Sequence, residues 1–266
     1  MWKLFKVSLL LVLGGLGVAA MAACDARTSG VKLTIQAEAV GVLSNGKSIA
    51  TFTNRRGWKI ELEQAYMLIG PMYLLEGEPQ ASLWDYLRPW SIAHAHVNAN
   101  GQKVLAELRE HFVLDLLKLS PTSLGAIKGI EGNAQTAELH LLPPGRTRLS
   151  KHSASITNVS NATVHAKGKA SKGQEVRPFQ LTLTLPKTDN KQLVQNIGTE
   201  IDLQEDNIEQ GRLQLRIYVD RWFTNVDFMS LNKKDKNGRF MLTAEDNAIV
   251  QGIRSRYSYN FSWRSK

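Results

Sequence analysis

Cysteine is almost absent from this chain of 266 residues, since Cys24 is the only one. A single cysteine excludes an intramolecular disulfide framework, a multi-cysteine zinc site and a Cys-x-x-Cys redox motif. Two common catalytic signatures are missing as well, because the sequence holds neither Gly-x-Ser-x-Gly nor His-Glu-x-x-His. We therefore expect a protein that is not an enzyme.

A long apolar segment stands at the amino terminus, where Lys3 and Lys6 precede an uncharged stretch over residues 7–18. A helix that spans a bilayer needs roughly 20 apolar residues, and this stretch is shorter. A charged start, a short apolar run and small residues after it are typical of a cleaved signal. We predict an export signal over residues 1–23.

The signal ends in Met21, Ala22, Ala23 and Cys24, which resemble the lipobox of bacterial lipoproteins, although Leu usually stands where this chain has Met21. The resemblance implies that the thiol receives a diacylglyceryl group, that the signal is cut before the cysteine, and that the new amino terminus is acylated, as with palmitate. Several acyl chains anchor a protein stably where one chain is marginal. Cys24 is then the lipidation site, the membrane is a partner, and residues 24–30 form a lipidated tether.

Location in the cell envelope follows from the same residues. The chain then faces the periplasm, and Asp25 resembles a signal that retains lipoproteins at the inner membrane, which slightly favours that membrane over the outer one. The alternative is an ordinary secretory signal followed by a chance free cysteine. An unpaired thiol in an oxidising compartment disfavours this alternative.

The charge balance is basic, with a formal net charge of +9 that falls to about +7 once Lys3 and Lys6 leave with the signal. Attraction to anionic headgroups beside the anchor is the simplest explanation. Nucleic acid is not expected as a partner, because the basic residues form no dense tract and no stacking motif accompanies them.

The mature chain alternates apolar and polar residues, as half-buried strands do. This pattern predicts strands over residues 31–42, 49–53, 58–62, 137–141, 162–166, 179–185 and 213–219, and a final aromatic strand over 257–263. Two apolar runs, 66–69 and 72–75, are interpreted as strands around a turn at Gly70 and Pro71. Residues 104–119 fit either a helix or a strand, and one short helix is predicted over residues 244–254.

More than ten short strands with few helices indicate a mainly β fold, and we predict an antiparallel β-sandwich over residues 31–266. The alternative is two β domains divided near residues 142–150, where Pro143, Pro144 and Gly145 form a turn-rich segment. About 243 residues are enough for either arrangement.

His94 and His96 form the pair that most resembles a ligand site. Residues two apart on a strand point to the same side, so both imidazoles could reach one zinc or copper ion, with His111, Asp85 or Glu107 as a third ligand. The competing interpretation is a solvated loop that binds no metal.

Other candidates have weaker patterns. His140, His152 and His165 occupy polar strand positions and are interpreted as surface residues unless neighbouring strands bring them together. Residues 233–238 resemble a calcium loop but lack its first acidic ligand, so a turn around Asn237 and Gly238 is favoured. Paired carboxylates, such as Glu61 with Glu63, are expected to be solvated. A set of aromatic residues is assigned either to an interaction surface or to the core: Trp84, Tyr86, Trp90, Trp222 and Phe223.

A second resemblance involves short motifs of the mature chain: Phe52-Thr53, Gly57-Trp58, Ala65-Tyr66, Gly70-Pro71-Met72-Tyr73, His94-Ala95-His96 and residues 222–228. They are similar to a loose set of β-rich bacterial envelope lipoproteins, and the likeness implies no catalytic residues. We expect a lipid-anchored binding or interaction module of the envelope that captures a transition metal. The alternative is a structural or assembly partner protein of the envelope without a small-molecule ligand.

Overall fold

One long strand, Lys59–Glu76, is the axis of the sheet in the computed structural model, which describes residues 31–45, 51–77, 102–141, 162–185 and 192–265. Along one edge this strand pairs in turn with the segments Thr51–Thr53, Phe112–Asp115 and Val104–Leu108. Along the other edge it pairs with Val164–Lys172 and then with Gly132–Leu141. Its two halves therefore have different neighbours on both sides.

The described residues contain thirteen strands, which all belong to one sheet. In chain order they are β1 Lys32–Val42, β2 Thr51–Thr53, β3 Lys59–Glu76, β4 Val104–Leu108, β5 Phe112–Asp115, β6 Thr122–Ile130, β7 Gly132–Leu141, β8 Val164–Lys172, β9 Glu175–Leu183, β10 Leu193–Leu203, β11 Gly211–Tyr218, β12 Phe240–Leu242 and β13 Tyr259–Ser265. The helices within the same ranges are short: α1 Glu205–Gln210, α2 Val219–Trp222 and α3 Asn247–Arg254.

The predicted turn at Gly70 and Pro71 is wrong, because β3 continues through both residues. Proline cannot donate to a ladder, so it is tolerated only where no donor is needed. Here β3 pairs with β5 as far as Ile69 and with β4 from Met72 onward. Its register against β7 shifts between the same two residues. Pro71 stands at this change of partners, where its missing N–H breaks no regular ladder.

The mainly β prediction is confirmed, but the two-sheet antiparallel sandwich is not, because the strands form one large curled, mixed sheet. From β3 the order runs through β4, β6, β1 and β11 to β13, and in the other direction through β7 to β10. The pairs β1 with β11 and β9 with β12 are parallel. The ends of the curl meet where Thr199 Oγ1 of β10 donates a 3.1 Å hydrogen bond to the carbonyl oxygen of Phe261 in β13.

The core lies inside the curl and follows the alternation of the strands. Ile35, Leu139 and Leu215, from three different strands, are each no more than 1% exposed. Aromatic rings fill the part of the core beside β8 and β9, with centroids of neighbouring rings 5.0–5.9 Å apart. These rings belong to Phe52, Trp58, Phe179, Phe223 and Phe228.

Two sequence ambiguities are resolved by the described elements. Residues 104–119 contain β4 and β5 rather than a helix, and the helix predicted at residues 244–254 is α3. Residues Lys32–Lys266 form one compact unit, and the proposed boundary at 142–150 lies outside the described ranges. Within those ranges, no helix is long and apolar enough to cross a bilayer.

Candidate binding groove

Strand β10 is bent by two irregularities in its pairing with β7. Val194 lies opposite Leu139 and Ile197 opposite Ala137, so three steps along β10 match two along β7. The same mismatch recurs between Gly198 and Ile201. Such bulges leave a residue unpaired and redirect nearby side chains, and they are common beside functional sites.

Asn196, inside the first bulge, has a φ of 57° and is the only described non-glycine residue with a positive φ. This left-handed conformation costs an ordinary side chain about 1–2 kcal/mol, and asparagine adopts it more easily than most residues. The bulge therefore fixes the direction in which the Asn196 amide points.

A groove of about 680 Å³ follows the bent strand. Asn133, Gln135 and Thr136 line it from β7, and Glu200 lines it from β10. Gly198 also borders the groove, and a Cβ atom added to it would meet no other atom within 4 Å. The space directly above Gly198 is thus open to a Cβ atom.

Asn196, Thr199 and Arg256 also line the groove, and no apolar side chain of the described residues contributes to the lining. The charges of Glu200 and Arg256 are opposite, and the remaining side chains are amides and hydroxyls. Arg256 Nη2 donates a 2.9 Å hydrogen bond to the Tyr257 hydroxyl, and its guanidinium carbon lies 4.9 Å from the centroid of that ring. Tyr257, which is 62% exposed, is thereby tied to a residue of the groove.

An acidic cleft of about 710 Å³ adjoins the groove and shares Asn133 with it. Its carboxylates come from the β6–β7 turn, the end of β10 and the start of α1, and neither lysine nor arginine lines it. They belong to Glu131, Asp202, Glu205 and Asp206.

Several predicted site residues lie outside the described ranges: Cys24, Asp85, His94, His96 and His152, together with the aromatic residues Trp84, Tyr86 and Trp90. The structure therefore neither assembles nor separates the predicted His94 and His96 pair. Among the residues that it does describe, no three metal-ligating side chains come together.

His140 and His111 lie close enough for the His111 charge to act on His140, and His140 packs edge-on against Tyr73 at 5.9 Å. Burial lowers the pKa of His140, and the His111 charge lowers it further. Tyr73 lies in register with Glu107 and Glu138 on its two neighbouring strands. This polar row includes two of the predicted third ligands, His111 and Glu107.

His165 is placed differently, in contact with Tyr66 at a ring separation of 6.5 Å. It is 6% exposed, and its Nε2 has no hydrogen-bond partner. Burial lowers the pKa of His165, with a smaller contribution from Lys167. The prediction of a surface histidine is wrong for this residue.

The remaining predictions can be compared directly with the structure. Asp235 Oδ1 accepts 2.8 Å hydrogen bonds from the backbone N–H groups of Asn237 and Arg239, which confirms a turn at this segment. Trp222 and Phe223 are fully buried, so both belong to the core. Tyr257, which was assigned to the apolar face of the last strand, instead lies in the exposed 3₁₀ helix Arg256–Ser258.

The acidic pair Glu61 and Glu63 is solvated, as expected, and each carboxylate has an ion-pair partner. Glu61 lies 3.2 Å from Lys59, and Glu63 lies 3.1 Å from Arg239. These pairs explain the alternating acids without a catalytic role.

Residues 41–48 match the spacing Gly-x-x-x-x-Gly-Lys-Ser of a phosphate loop. The motif requires a helix after the loop and free backbone donors. Residues 46–50 lie outside the described ranges, and the next described element is strand β2. The backbone N–H of Ser44 donates a 2.9 Å hydrogen bond to Asp220 Oδ1, so this donor is not free for a phosphate.

The chain matches no protein-family model, no curated protein and no solved structure. The groove itself was not predicted from the sequence. The signal available in the sequence was Gly198 beside Asn196 within a strand-like segment, because an isolated glycine in a strand often marks a bulge.

Proposed function

We propose that this protein is a lipid-anchored binding module of the bacterial cell envelope that faces the periplasm. The groove between β7 and β10 is the observation that carries the binding role. It is open and lined by polar groups, and a bulged strand fixes the backbone beneath it. A surface of this kind is suited to recognition of a ligand.

The anchor is supported by the leader and by Met21, Ala22, Ala23 and Cys24. Metabolic labelling with a palmitate analogue tests it directly. Wild-type protein should become labelled and fractionate with membranes, whereas Cys24→Ser should remain an unlabelled precursor. Normal cleavage and release of Cys24→Ser into the soluble fraction would contradict lipidation.

Asp25→Ser is the matched control for the anchor and also tests the membrane assignment. The substitution leaves Cys24 intact, so lipid labelling should persist. If Asp25 retains the protein at the inner membrane, the variant should move to the outer membrane. An unchanged distribution would remove the preference for the inner membrane but would leave the anchor in place.

Capture of zinc or copper by His94 and His96 is a sharper form of this proposal, supported by their spacing and by the preference of both metals for imidazole. Titration calorimetry should give one metal per chain in the wild type. Binding should be lost in the double variant His94→Ala with His96→Ala and retained in the control pair His140→Ala with His152→Ala. Equal affinity in both double variants would exclude the pair.

We further infer that the chain binds rather than catalyses. The exposed carboxylates of Glu61 and Glu63 have cationic partners, and the groove contains amides, hydroxyls and the opposite charges of Glu200 and Arg256. Turnover in a panel of hydrolase substrates, lost on Glu200→Gln, would overturn this inference. If the protein instead acts only as an assembly partner, crosslinking in membranes should trap one dominant protein even when the groove is filled.

A further inference from the structure

We propose that the groove between β7 and β10 binds an oligosaccharide of neutral or amine-bearing hexoses. This inference rests on the proposed binding role and assigns a ligand class to the same groove. The chemistry of the lining supports this ligand class. Asn133, Gln135 and Asn196 each offer a donor and an acceptor on one planar amide, and adjacent sugar hydroxyls offer the same combination.

These amides are available to a ligand. Within the part of the chain that the structure describes, the side chains of Asn133, Gln135 and Asn196 make no hydrogen bond. The two hydroxyls of the groove are already oriented, because Thr136 Oγ1 donates to the carbonyl oxygen of Gly77 at 3.2 Å and Thr199 Oγ1 donates to Phe261. Both threonines are nearly buried, 6% and 7% exposed, so the amides rather than these hydroxyls present hydrogen-bonding groups to a sugar.

The geometry of the groove is fixed before a ligand arrives. Asn196 is held at a φ of 57° by the bulge, and its neighbour Gly198 leaves the space above β10 open. A rigid surface loses less conformational entropy on binding than a mobile one. The volume of about 680 Å³ also lies within the range of small-molecule sites.

Tyr257 adds an apolar surface at the edge of this polar lining. Its ring is 62% exposed and is held by the hydrogen bond from Arg256, itself a groove residue. An aromatic ring with a polar tip suits a ligand that has apolar C–H faces and polar edges. A pyranose has both.

Charge and polarity separate this ligand class from others. A lipid or drug-like apolar molecule requires apolar walls, and the lining has none. Phosphate and uronate groups require cations, but the single Arg256 is offset by Glu200. The adjoining carboxylates Glu131, Asp202, Glu205 and Asp206 repel anions near Asn133 and attract amines.

The test uses the purified lipidated protein in detergent and four probes of equal length. These are cellotetraose, tetra-N-acetylchitotetraose, its deacetylated amine form and tetragalacturonate. Titration calorimetry should show binding of at least one neutral or amine-bearing probe and at least tenfold weaker binding of the uronate. Absence of binding to all four, or preference for the uronate, would overturn the proposal.

Gly198→Leu should weaken that binding at least tenfold, because Gly198 lines the groove and a Cβ atom added there meets no other atom within 4 Å, so the new side chain takes space that a ligand would occupy. Ala126→Leu adds similar bulk to the exposed face of β6 and should bind like the wild type. If Gly198→Leu unfolds, the double variant Asn133→Ala with Gln135→Ala provides the same comparison by removing exposed amides. Undiminished binding in the folded groove variants would place the saccharide elsewhere and refute the site.

Failure of this proposal is distinguishable from failure of the proposed function. Lipid labelling at Cys24 and metal titration do not depend on the saccharide probes. A labelled protein without saccharide affinity would keep the anchor and lose the ligand class. Saccharide affinity in an unlabelled, soluble protein would keep the ligand class and lose the anchor.

Discussion

Gln214 Nε2 donates a 2.6 Å hydrogen bond to Oε1 of Glu38, and each of these side chains is only 5% exposed. Arg264 Nη1 donates to the same oxygen at 2.9 Å, while Arg212 lies 4.0 Å from the other oxygen. The carboxylate thereby connects β1 with β11 and β13. A buried charge of this kind depends on all its partners.

Glu38→Ala should lower the free energy of unfolding by about 2–4 kcal/mol, because the Gln214 amide would remain buried without its acceptor. Urea denaturation at neutral pH measures the change. Glu61→Ala is the matched control, since it removes an exposed carboxylate beside Lys59 and should cost no more than about 1 kcal/mol. Equal losses in the two variants would show that burial of Glu38 has no energetic role.

Gly252→Ala in α3 sets two effects against each other. Alanine should stabilise the interior of a helix by about 1 kcal/mol relative to glycine. However, its Cβ would lie 2.4 Å from the carbonyl oxygen of Trp222, a backbone atom that cannot rotate away. We expect the clash to dominate and the midpoint of thermal unfolding to fall. A raised midpoint would mean that α3 can shift away from Trp222.

Asn54, 8% exposed, fixes the turn between β2 and β3 through both ends of its amide. Nδ2 donates to the carbonyl oxygens of Phe223 and Val226 at 3.0 and 2.8 Å, while Oδ1 accepts from the backbone of Arg56 and Trp58. Asn54→Asp keeps the acceptor but replaces the donor with a second oxygen.

The expected result for Asn54→Asp is a loss of about 2–3 kcal/mol, as for other unpaired buried polar groups. Denaturant titration provides the measurement. Ser123→Ala removes an exposed side-chain acceptor, which bonds the Gly125 N–H at the irregularity in β6, and serves as the control with a change below about 1 kcal/mol. Preserved stability in Asn54→Asp would show that the two carbonyls find other donors.

Strand β9 could be predicted from the sequence pattern, whereas β10 could not. In β9, alternating Phe179, Leu181 and Leu183 face the core, and the period of two identified the strand. In β10 the buried Val194 and Ile197 are three residues apart, because the first bulge inserts a residue, and the period of two resumes only from Ile197 to Leu203. The break in the period hides the first half of the strand from a local pattern, since the bulge depends on the partner strand β7.

The same limit applies to the groove. Its lining comes from β7, from β10 and from Arg256, and these segments lie far apart in the chain. The local sequence around Gln135 and Asn196 contains no signal that would bring these two residues together. Only the curl of the sheet, which brings Phe261 of β13 to Thr199 of β10, places Arg256 beside them.

The buried His165 should make the stability of the fold depend on pH. Its folded pKa is lowered by burial, so the unfolded chain binds the proton first as the pH falls below about 6.5. Stability should therefore be fully present above that pH and decline from there toward the lower folded pKa. Unfolding free energies at pH 7.5 and 5.5 measure the effect.

His165→Phe removes this titration but retains a ring beside Tyr66, so its loss between pH 7.5 and 5.5 should be smaller than in the wild type. Tyr66→Phe is the control because a tyrosine with a raised pKa does not titrate in this range. It should keep the pH dependence of the wild type. Identical curves for all three proteins would exclude His165 as a source of acid sensitivity.

Asn196 allows a stability test that is independent of any ligand. Glycine adopts a φ of 57° without strain, so Asn196→Gly should change the free energy of unfolding by less than about 0.5 kcal/mol. Asn196→Ala should cost about 1 kcal/mol more, since alanine tolerates this conformation poorly. Guanidinium denaturation distinguishes them, and equal stability would mean that the bulge relaxes.

Because β1 pairs in parallel with β11, the sheet cannot assemble fully before β11 has been synthesised. Ala37 pairs with Leu213, so β1 has no neighbour on that edge until this late strand is present. Contacts between such distant segments form slowly. A chain that ends before residue 211 keeps an open edge on β1, and open edges invite aggregation and degradation. Chains that contain β11 should therefore persist, whereas chains that lack it should be removed by degradation.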